Sequence, residues 1–168
     1  MDAKVKTHVT LDFKLILRAQ FLKNRFITIF YSILFVLFAF ISLGVIRAGD
    51  RDLYNIVLDI MLTILCAIVG FGYPVFSAFL WKIRTKKKYG TDKLELEYHF
   101  YDLSLKVENK TAKIATKLDY RAISRLNQSK HLLILNYSPK VYVVVDKDQM
   151  NAKDIEKVLD YFKRLKLV

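Results

Sequence analysis

A long apolar stretch near the N-terminus, residues 26–46, reads FITIFYSILFVLFAFISLGVI and carries no charged side chain. An α-helix rises about 1.5 Å per residue, so a helix of this length spans the roughly 30 Å hydrocarbon core of a bilayer. A second apolar run, residues 60–81, follows a polar segment at 47–59. The sequence therefore predicts a membrane α-helical hairpin over residues 26–83, with two spans joined by an outer loop. The length and position of the first run are typical of an uncleaved span and not of a signal peptide.

Basic residues are concentrated on both flanks of this hairpin. Residues 1–25 hold six basic and two acidic side chains, and residues 82–93 hold six and one. Because short segments rich in Lys and Arg stay in the cytoplasm, we expect a multi-pass protein of the plasma membrane with both termini cytoplasmic. The residues that set this orientation and anchor the hairpin at anionic headgroups of the inner leaflet are Lys23, Arg25, Lys82, Arg84, Lys86, Lys87 and Lys88.

The formal net charge of +12 raises the question of nucleic-acid binding. Here the excess lies next to the apolar runs, where attraction to anionic lipids is the simpler explanation. We therefore expect membrane lipids as partners and no nucleic acid. The only cysteine, Cys66, lies inside the second run, which excludes an intramolecular disulfide.

Residues 1–25 are expected to form a cytoplasmic strand and helix. Residues 4–10, KVKTHVT, contain the β-branched side chains of a short strand, and Thr10 has the character of a helix N-cap. Apolar side chains then recur on one face up to Leu22, which predicts a basic amphipathic helix. Two interpretations remain open: the helix lies along the inner leaflet, or it extends the first span.

The second apolar run contains residues that disturb a helix. Gly70, Gly72 and Pro74 lie close together, and Pro74 lacks the amide that would bond back to residue 70. A kink is expected near Gly70. Because two helices are too few to enclose a transport path, we favour packing over a functional hinge as its role.

The hydrophobic period changes after the second run. Residues 84–92 form a basic juxtamembrane linker, in which Gly90 and Asp92 are expected to end the helix. From residue 93 onward, six short alternating segments separated by turn residues predict an antiparallel meander, with the first strand at 94–100 and the fourth at 123–128. Residues 152–166 then show one apolar face, which predicts a C-terminal helix that covers the sheet.

Three short segments resemble the YcxB-like family of bacterial membrane proteins: FYDL at 100–103, LDYRAISR at 118–125 and VVVDKDQM at 143–150. The family usually has Pro before the Lys of the last segment, where Asp146 stands here. The resemblance implies two spans followed by a cytoplasmic pleckstrin-homology-like (PH-like) domain at residues 93–168, an antiparallel barrel or sandwich capped by a C-terminal helix. It implies no catalytic or ligand-binding residues. Such a fold has seven strands, so residues 4–10 are a candidate for the seventh, paired with the sheet.

The sequence lacks the usual motifs of catalysis and metal binding. His8, His99 and His131 are scattered, and none has the spacing of a metal ligand with another His, Cys or carboxylate pair. Asp146 and Asp148 lack the glycine and distal glutamate of a calcium loop. No phosphate-binding loop or nucleophile elbow occurs. We therefore expect no enzyme activity, no metal site and no cofactor.

The predicted function is that of a membrane-anchored, non-catalytic binding protein that presents a PH-like domain at the inner membrane face. Its partner would be a lipid headgroup or an unidentified protein. An immunity or self-protection protein against a membrane-acting toxin or bacteriocin is the alternative, and a subunit of a larger complex, including a homo-oligomer, is a third. The candidate face for an anionic ligand, which a solvated charged surface would also explain, comprises Lys106, Lys110, Lys113, Lys117, Arg121 and Arg125.

Overall fold

The computed structural model describes residues 4–48, 53–138 and 141–164, with the side chains of 45–48 and 53–54 left aside. It shows an α+β protein with helices and two antiparallel sheets. Two helical segments are long and apolar enough to cross a membrane, Arg25–Gly44 and Asn55–Tyr89. The predicted α+β composition and the two apolar helices are therefore confirmed.

The hairpin pairs helix α2 (Arg25–Ala48) with a second, longer helical segment. That segment consists of α3 (Leu53–Ala67), one π-helical turn (Ile68–Gly72) and α4 (Tyr73–Tyr89). The predicted outer loop, 47–59, is partly helical, because residues 47–48 end α2 and residues 53–59 begin α3. The apolar side chains before Asp59 continue the helical pattern, so the helix begins earlier than expected. Residues 49–52 lie outside the described part of the chain.

The sequence predicts a kink near Gly70, and the structure has one π-helical turn there, Ile68–Gly72. Proline cannot donate the usual backbone hydrogen bond, and the wider i to i+5 spacing before Pro74 accommodates the missing donor. Gly70 is buried, and a Cβ added there would lie 3.0 Å from the Cβ of Tyr31. Gly70 thus allows the second helical segment to approach α2 closely.

Helix α4 continues beyond the apolar run and ends at Gly90. Gly90 has a φ of 74°, and its N–H donates to the carbonyl of Lys86 at 2.9 Å. Glycine adopts this left-handed conformation without steric cost, which is why the helix ends here. Most of the basic segment that was predicted as a linker at 84–92 is therefore helical.

Strand β1 (Val5–Leu11) and helix α1 (Phe13–Lys23) precede the hairpin. The N-cap of α1 is Asp12, whose Oδ1 accepts a hydrogen bond from the N–H of Leu15 at 2.7 Å. The prediction of Thr10 as the cap was wrong, because Thr10 lies within β1 and pairs with Glu95. The apolar face of α1 is buried against α4 and the second sheet, so it is not available to lipid.

The first sheet combines β1 with three strands from beyond the hairpin, in the order β1-β2-β3-β4. β1 pairs antiparallel with β2, from Val5 opposite Phe100 to Leu11 opposite Leu94. The predicted pairing of the N-terminal strand with the sheet is thus present. The other three strands are β2 (Leu94–Phe100), β3 (Ser104–Asn109) and β4 (Ile114–Asp119).

The second sheet follows a 3-10 turn at Tyr120–Ala122 and has the order β5-β6-β7. Its strands are β5 (Arg125–Gln128), β6 (Leu132–Asn136) and β7 (Tyr142–Asp146). The turn interrupts the continuous meander that the sequence predicts, so the strands divide into two sheets, neither of which is closed among the described residues. Helix α5 (Ala152–Arg164) follows, and the predicted extension to 166 lies outside the described residues.

The core lies between the two sheets and includes buried faces of α1 and α5. The hydroxyl of Tyr98 on β2 donates to the carbonyl of Val144 on β7 at 2.8 Å, which links the sheets through a buried hydrogen bond. Helix α5 is held by Phe162, whose ring meets that of Tyr120 edge-on at 5.2 Å between centroids. Since α1 also packs on α4, the β-rich part is built directly onto the base of the hairpin.

Candidate ligand-binding site

The turn between α1 and α2 is fixed against the second sheet. The Nδ2 group of Asn127 on β5, which is 9% exposed, donates to the carbonyl of Lys23 at 3.5 Å. Within the turn, the Nδ2 group of Asn24 donates to the carbonyl of Gln20 at 2.9 Å. The Asn24 bond thus closes the end of α1, and the Asn127 bond links that end to β5, just before α2 begins.

Arg125, at the start of β5, reaches the beginning of α2. Its guanidinium lies 5.5 Å from the ring centroid of Phe26, within the range of a cation–π contact. A cavity of about 330 Å³ lies beside this contact, and a second of about 420 Å³ shares Phe26, Arg125 and Asn127 with it. Lys23 lines the first cavity and Arg25 lines the second. We call these two cavities, with their three basic side chains, the Arg125 site.

Lys23 is held in a partly desolvated position in this site. Its Nζ lies 4.4 Å from the ring centroid of Tyr142, and the Tyr142 hydroxyl accepts a hydrogen bond from Gln20 at 2.9 Å. Burial lowers the pKa of the Lys23 ammonium, because water no longer fully solvates its charge. An anion beside Lys23 would restore part of that lost stabilisation.

The Arg125 site has a polar side and an apolar side. Asn136 and Ser124 line the first cavity, while Ile29 and Leu22 line the second. Phe26 is 72% exposed at the boundary between them. Among the described residues, none that lines either cavity is acidic. The arrangement suits an amphipathic ligand with an anionic group.

The predicted anchor residues lie at this same end of the hairpin, on the three helices α1, α2 and α4. Lys23 and Arg25 flank the turn between α1 and α2, and Lys82 forms an ion pair with Asp92 at 3.4 Å. The remaining four are exposed along the last turns of α4: Arg84, Lys86, Lys87 and Lys88. The buried Thr85 among them shows that only one side of these turns is solvated.

The basic residues predicted as one anionic-ligand face are divided by the fold. Lys106 and Lys117 are directly opposite each other on β3 and β4, and both line a cavity of about 500 Å³. Lys113 lies in the turn between those strands, with a φ of 55°, and Arg121 is exposed in the 3-10 turn. Arg125 lies on the other sheet. The structure therefore joins Arg125 to Lys23 and Arg25, which lie about 100 residues earlier in the chain.

A cluster of possible metal ligands on the first sheet was missed by the sequence reasoning. Glu97, His99 and Glu108 place one ligand atom each within 4.8 Å of one another. The signal is the alternation of Glu97 and His99 on β2 together with the cross-strand pairing of Glu97 and Glu108. Two ammonium groups already bind these carboxylates: Lys106 contacts Glu108 at 2.7 Å, and Lys110 contacts Glu97 at 2.7 Å. The cluster is therefore an ion-pair network that a metal would have to displace.

This network has clear electrostatic consequences. Hydrogen bonds from Lys106 and Lys110 lower the pKa of Glu108 to about 2, so the carboxylate stays ionised at neutral pH. The Lys110 ammonium also lowers the pKa of Glu97. Both acidic charges of the cluster are thus satisfied within the protein.

Comparison with known protein families gives a match for the part of the chain that forms β3 to α5. Residues 103–162 match the family model described as YcxB-like protein. The predicted resemblance to this family is confirmed over that segment, which contains LDYRAISR and VVVDKDQM. No significant match was found among curated proteins or solved structures.

The YcxB-like segment departs from the family's expected pattern at Asp146, and the structure shows what this residue does. Its Oδ1 accepts from the N–H of Asp148 at 3.0 Å, and its Oδ2 accepts from Nε2 of Gln149 at 2.9 Å. Asp146 therefore caps the 3-10 turn Lys147–Gln149 that leads towards α5. The next residue, Lys147, is buried and donates from Nζ to the carbonyl of Ser129 at 2.9 Å.

Proposed function

We propose that the protein is a membrane-anchored, non-catalytic binding protein that holds a PH-like domain against the cytoplasmic face of the membrane and binds anionic lipid headgroups there. The observation that carries the proposal is the junction of hairpin and sheets. β1 and β2, which lie on opposite sides of the hairpin in sequence, pair along their whole length. The domain is consequently joined to both ends of the hairpin at once.

The length of the second apolar helical segment supports this placement. Asn55–Tyr89 contains 35 residues, which corresponds to about 52 Å of helix and exceeds the roughly 30 Å apolar thickness of a bilayer. The part of the helix that exceeds this thickness packs against the rest of the protein, since Ala78 and Thr85 on α4 are buried and Trp81 packs against the core. Helix α4 thus leads from the hairpin into the domain without a flexible tether.

Charge supports the cytoplasmic orientation. The two flanks of the hairpin carry net charges of +4 (residues 1–25) and +5 (residues 82–93). Lys- and Arg-rich flanks stay on the cytoplasmic side, where the leaflet is also enriched in anionic lipids. The PH-like assignment is supported by seven strands in two antiparallel sheets followed by one helix, and by the YcxB-like segment.

Binding to anionic lipid is tested with the full chain in lipid nanodiscs. Trp81, the only tryptophan, packs against the core and reports its unfolding by fluorescence. We expect a higher unfolding midpoint in discs that contain phosphatidylglycerol than in purely zwitterionic discs, because a ligand that binds the folded state stabilises it. The difference should shrink as salt is raised from about 0.05 to 0.5 M. Equal midpoints in both discs would contradict the proposal.

Orientation is tested by cysteine labelling in a Cys66→Ser background. Lys153 is exposed on α5, and in the sequence Arg51 lies between the two apolar runs. We expect a Lys153→Cys variant to react with a membrane-impermeant reagent only after the membrane is opened, and an Arg51→Cys variant to react in intact cells. The reverse pattern would place the domain outside.

The immunity or self-protection function stays a prediction that concerns a partner. An immunity protein would have the same membrane-anchored arrangement. Stoichiometric binding of a toxin would distinguish it from a lipid-binding protein.

A further inference from the structure

Within the described part of the chain, no charged partner faces the two arginines of the Arg125 site. Among the described residues, neither Arg25 nor Arg125 has an ion pair or a side-chain hydrogen bond, and the guanidinium of Arg125 lies against the ring of Phe26. By contrast, Lys106 and Lys110 on the first sheet are held by glutamates. The unpaired guanidinium groups are therefore free to bind an external anion.

The polar groups around Arg125 are already ordered. The Nδ2 group of Asn136 donates to the carbonyl of Arg125 at 3.1 Å, and the hydroxyl of Ser124 donates to the carbonyl of Asn136 at 3.0 Å. These bonds fix the backbone from which the guanidinium projects. A site that is ordered before binding loses less conformational entropy when a ligand arrives.

The apolar side of the site continues onto the exposed surface of α2. Phe26, Ile29 and Ile33 are 72%, 46% and 62% exposed. An isolated phosphate or a nucleotide would leave this surface uncovered. A ligand with acyl chains would cover it while its headgroup lies beside the arginines.

Guanidinium groups bind phosphate through two parallel hydrogen bonds, which is stronger and more directional than contact with an ammonium. Two arginines and one partly desolvated lysine line the two cavities, and none of the described residues that line them is acidic. Partial burial lowers the pKa of Lys23, and an anion next to its ammonium would offset part of that desolvation cost.

We infer that the Arg125 site binds the phosphate of one anionic phospholipid between Arg25 and Arg125, with its acyl chains along the Phe26 and Ile29 side of α2. This inference rests on the proposed function and names the site and ligand class through which it acts. A phosphate bound by both arginines connects the second sheet to the first apolar helix, because Arg125 lies on β5 and Arg25 begins α2.

The test is a binding titration. Short-chain phosphatidylglycerol is added to the delipidated full chain in a mild zwitterionic detergent, and binding is monitored by Trp81 fluorescence and by calorimetry. Short-chain phosphatidylcholine and inorganic phosphate are the comparison ligands. We expect saturable binding of phosphatidylglycerol, with phosphatidylcholine and inorganic phosphate at least about tenfold weaker, since each lacks one part of the recognition. Equal affinity for inorganic phosphate and phosphatidylglycerol would overturn the assignment of a lipid.

Variants locate the site. Arg125→Gln and Arg25→Gln should each weaken phosphatidylglycerol binding about tenfold, which is typical of losing a charge-assisted hydrogen bond. Lys153→Gln is the matched control, because it removes an equal charge from the exposed part of α5 and lines neither cavity. Its affinity should equal that of the wild type. Equal losses in all three variants would show a diffuse charge effect and overturn the inference.

The site and the proposed function fail in different ways. If phosphatidylglycerol stabilises the wild type and both arginine variants to the same extent, the site is wrong while lipid binding by the protein stands. If the wild type does not respond to phosphatidylglycerol at all, both are wrong. Because each arginine is tested separately, a folding defect in one variant leaves the other to decide.

Discussion

At position 70 an added methyl group would lie 3.0 Å from the Cβ of Tyr31. We therefore expect Gly70→Ala to separate the two apolar helices and to lower the free energy of unfolding by about 1–3 kcal/mol, the usual cost of overpacking. Gly44→Ala on α2 is the control, because a methyl group added there would have no neighbouring atom within 4 Å. It should leave stability unchanged or raise it by up to about 1 kcal/mol through helix propensity. Detergent-induced unfolding measures both, and equal stability of the two variants would refute the close contact.

The pKa of Glu108 gives a prediction about acid. Its pKa is lowered from 4.5 to about 2 by Lys106 and Lys110, so the ionised carboxylate stabilises the fold above about pH 4.5. That stabilisation is lost as the pH falls from 4.5 towards 2, because the unfolded state then binds the proton more readily. Glu108→Gln should be less stable than wild type at pH 7 and should lose less stability across that window. Unfolding followed by Trp81 fluorescence measures this, and the exposed Glu156→Gln on α5 should behave as wild type.

At the scale of elements, one buried hydrogen bond connects β2 with β7. Tyr98→Phe removes the hydroxyl that donates to Val144 and leaves that carbonyl without its partner. We expect a loss of about 1–2 kcal/mol in the free energy of unfolding. Tyr161→Phe on α5 is the control, since no hydrogen bond of the Tyr161 hydroxyl is described. A Tyr98→Phe variant as stable as this control would show that the link contributes little.

Elements with a regular pattern were predictable from the sequence, and those shaped by tertiary contacts were not. Strand β2 was predicted at its observed bounds, because apolar and polar side chains alternate without interruption. β5 was predicted to start at Ile123, but it starts at Arg125. Tyr120 packs in the core against Phe162, and the 3-10 turn that it begins occupies residues 120–122 before the strand. The split into two sheets follows from this turn, whose fit in the core no local pattern reveals.

The candidate site was less predictable than the fold. Lys23, Arg25 and Arg125 were each identified as functional residues, but for two separate roles. Their convergence depends on Asn127 holding the carbonyl of Lys23 and on α1 packing over the second sheet, both contacts between distant parts of the chain. Residue type identified the cations, and only the fold shows which of them line the same cavities.

At the scale of the whole molecule, the β-rich part is incomplete without the N-terminal residues. Segment 4–23 contributes to the core Val5, Val9, Leu11, Leu15, Ile16 and Ala19. We therefore expect a fragment of residues 91–168 alone to lack a stable fold and to give a poorly dispersed NMR spectrum. Adding a synthetic peptide of residues 4–24 should restore dispersion by pairing with β2. A well-dispersed spectrum of the fragment alone would show that residues 91–168 fold without the N-terminal segment.

The pairing of β1 with β2 also sets an order of events during synthesis. Leu11 is made before the hairpin and Leu94 after it, and at about 5–20 residues per second the ribosome needs roughly 4–17 s to pass from one to the other. During that time β1 has no partner strand, while the two apolar helices are being synthesised. The outward positions of β1 carry Lys6, His8 and Thr10, and such polar, charged edges discourage association with other nascent chains. A strand made first and paired last thus has to remain soluble on its own, and its composition meets that demand.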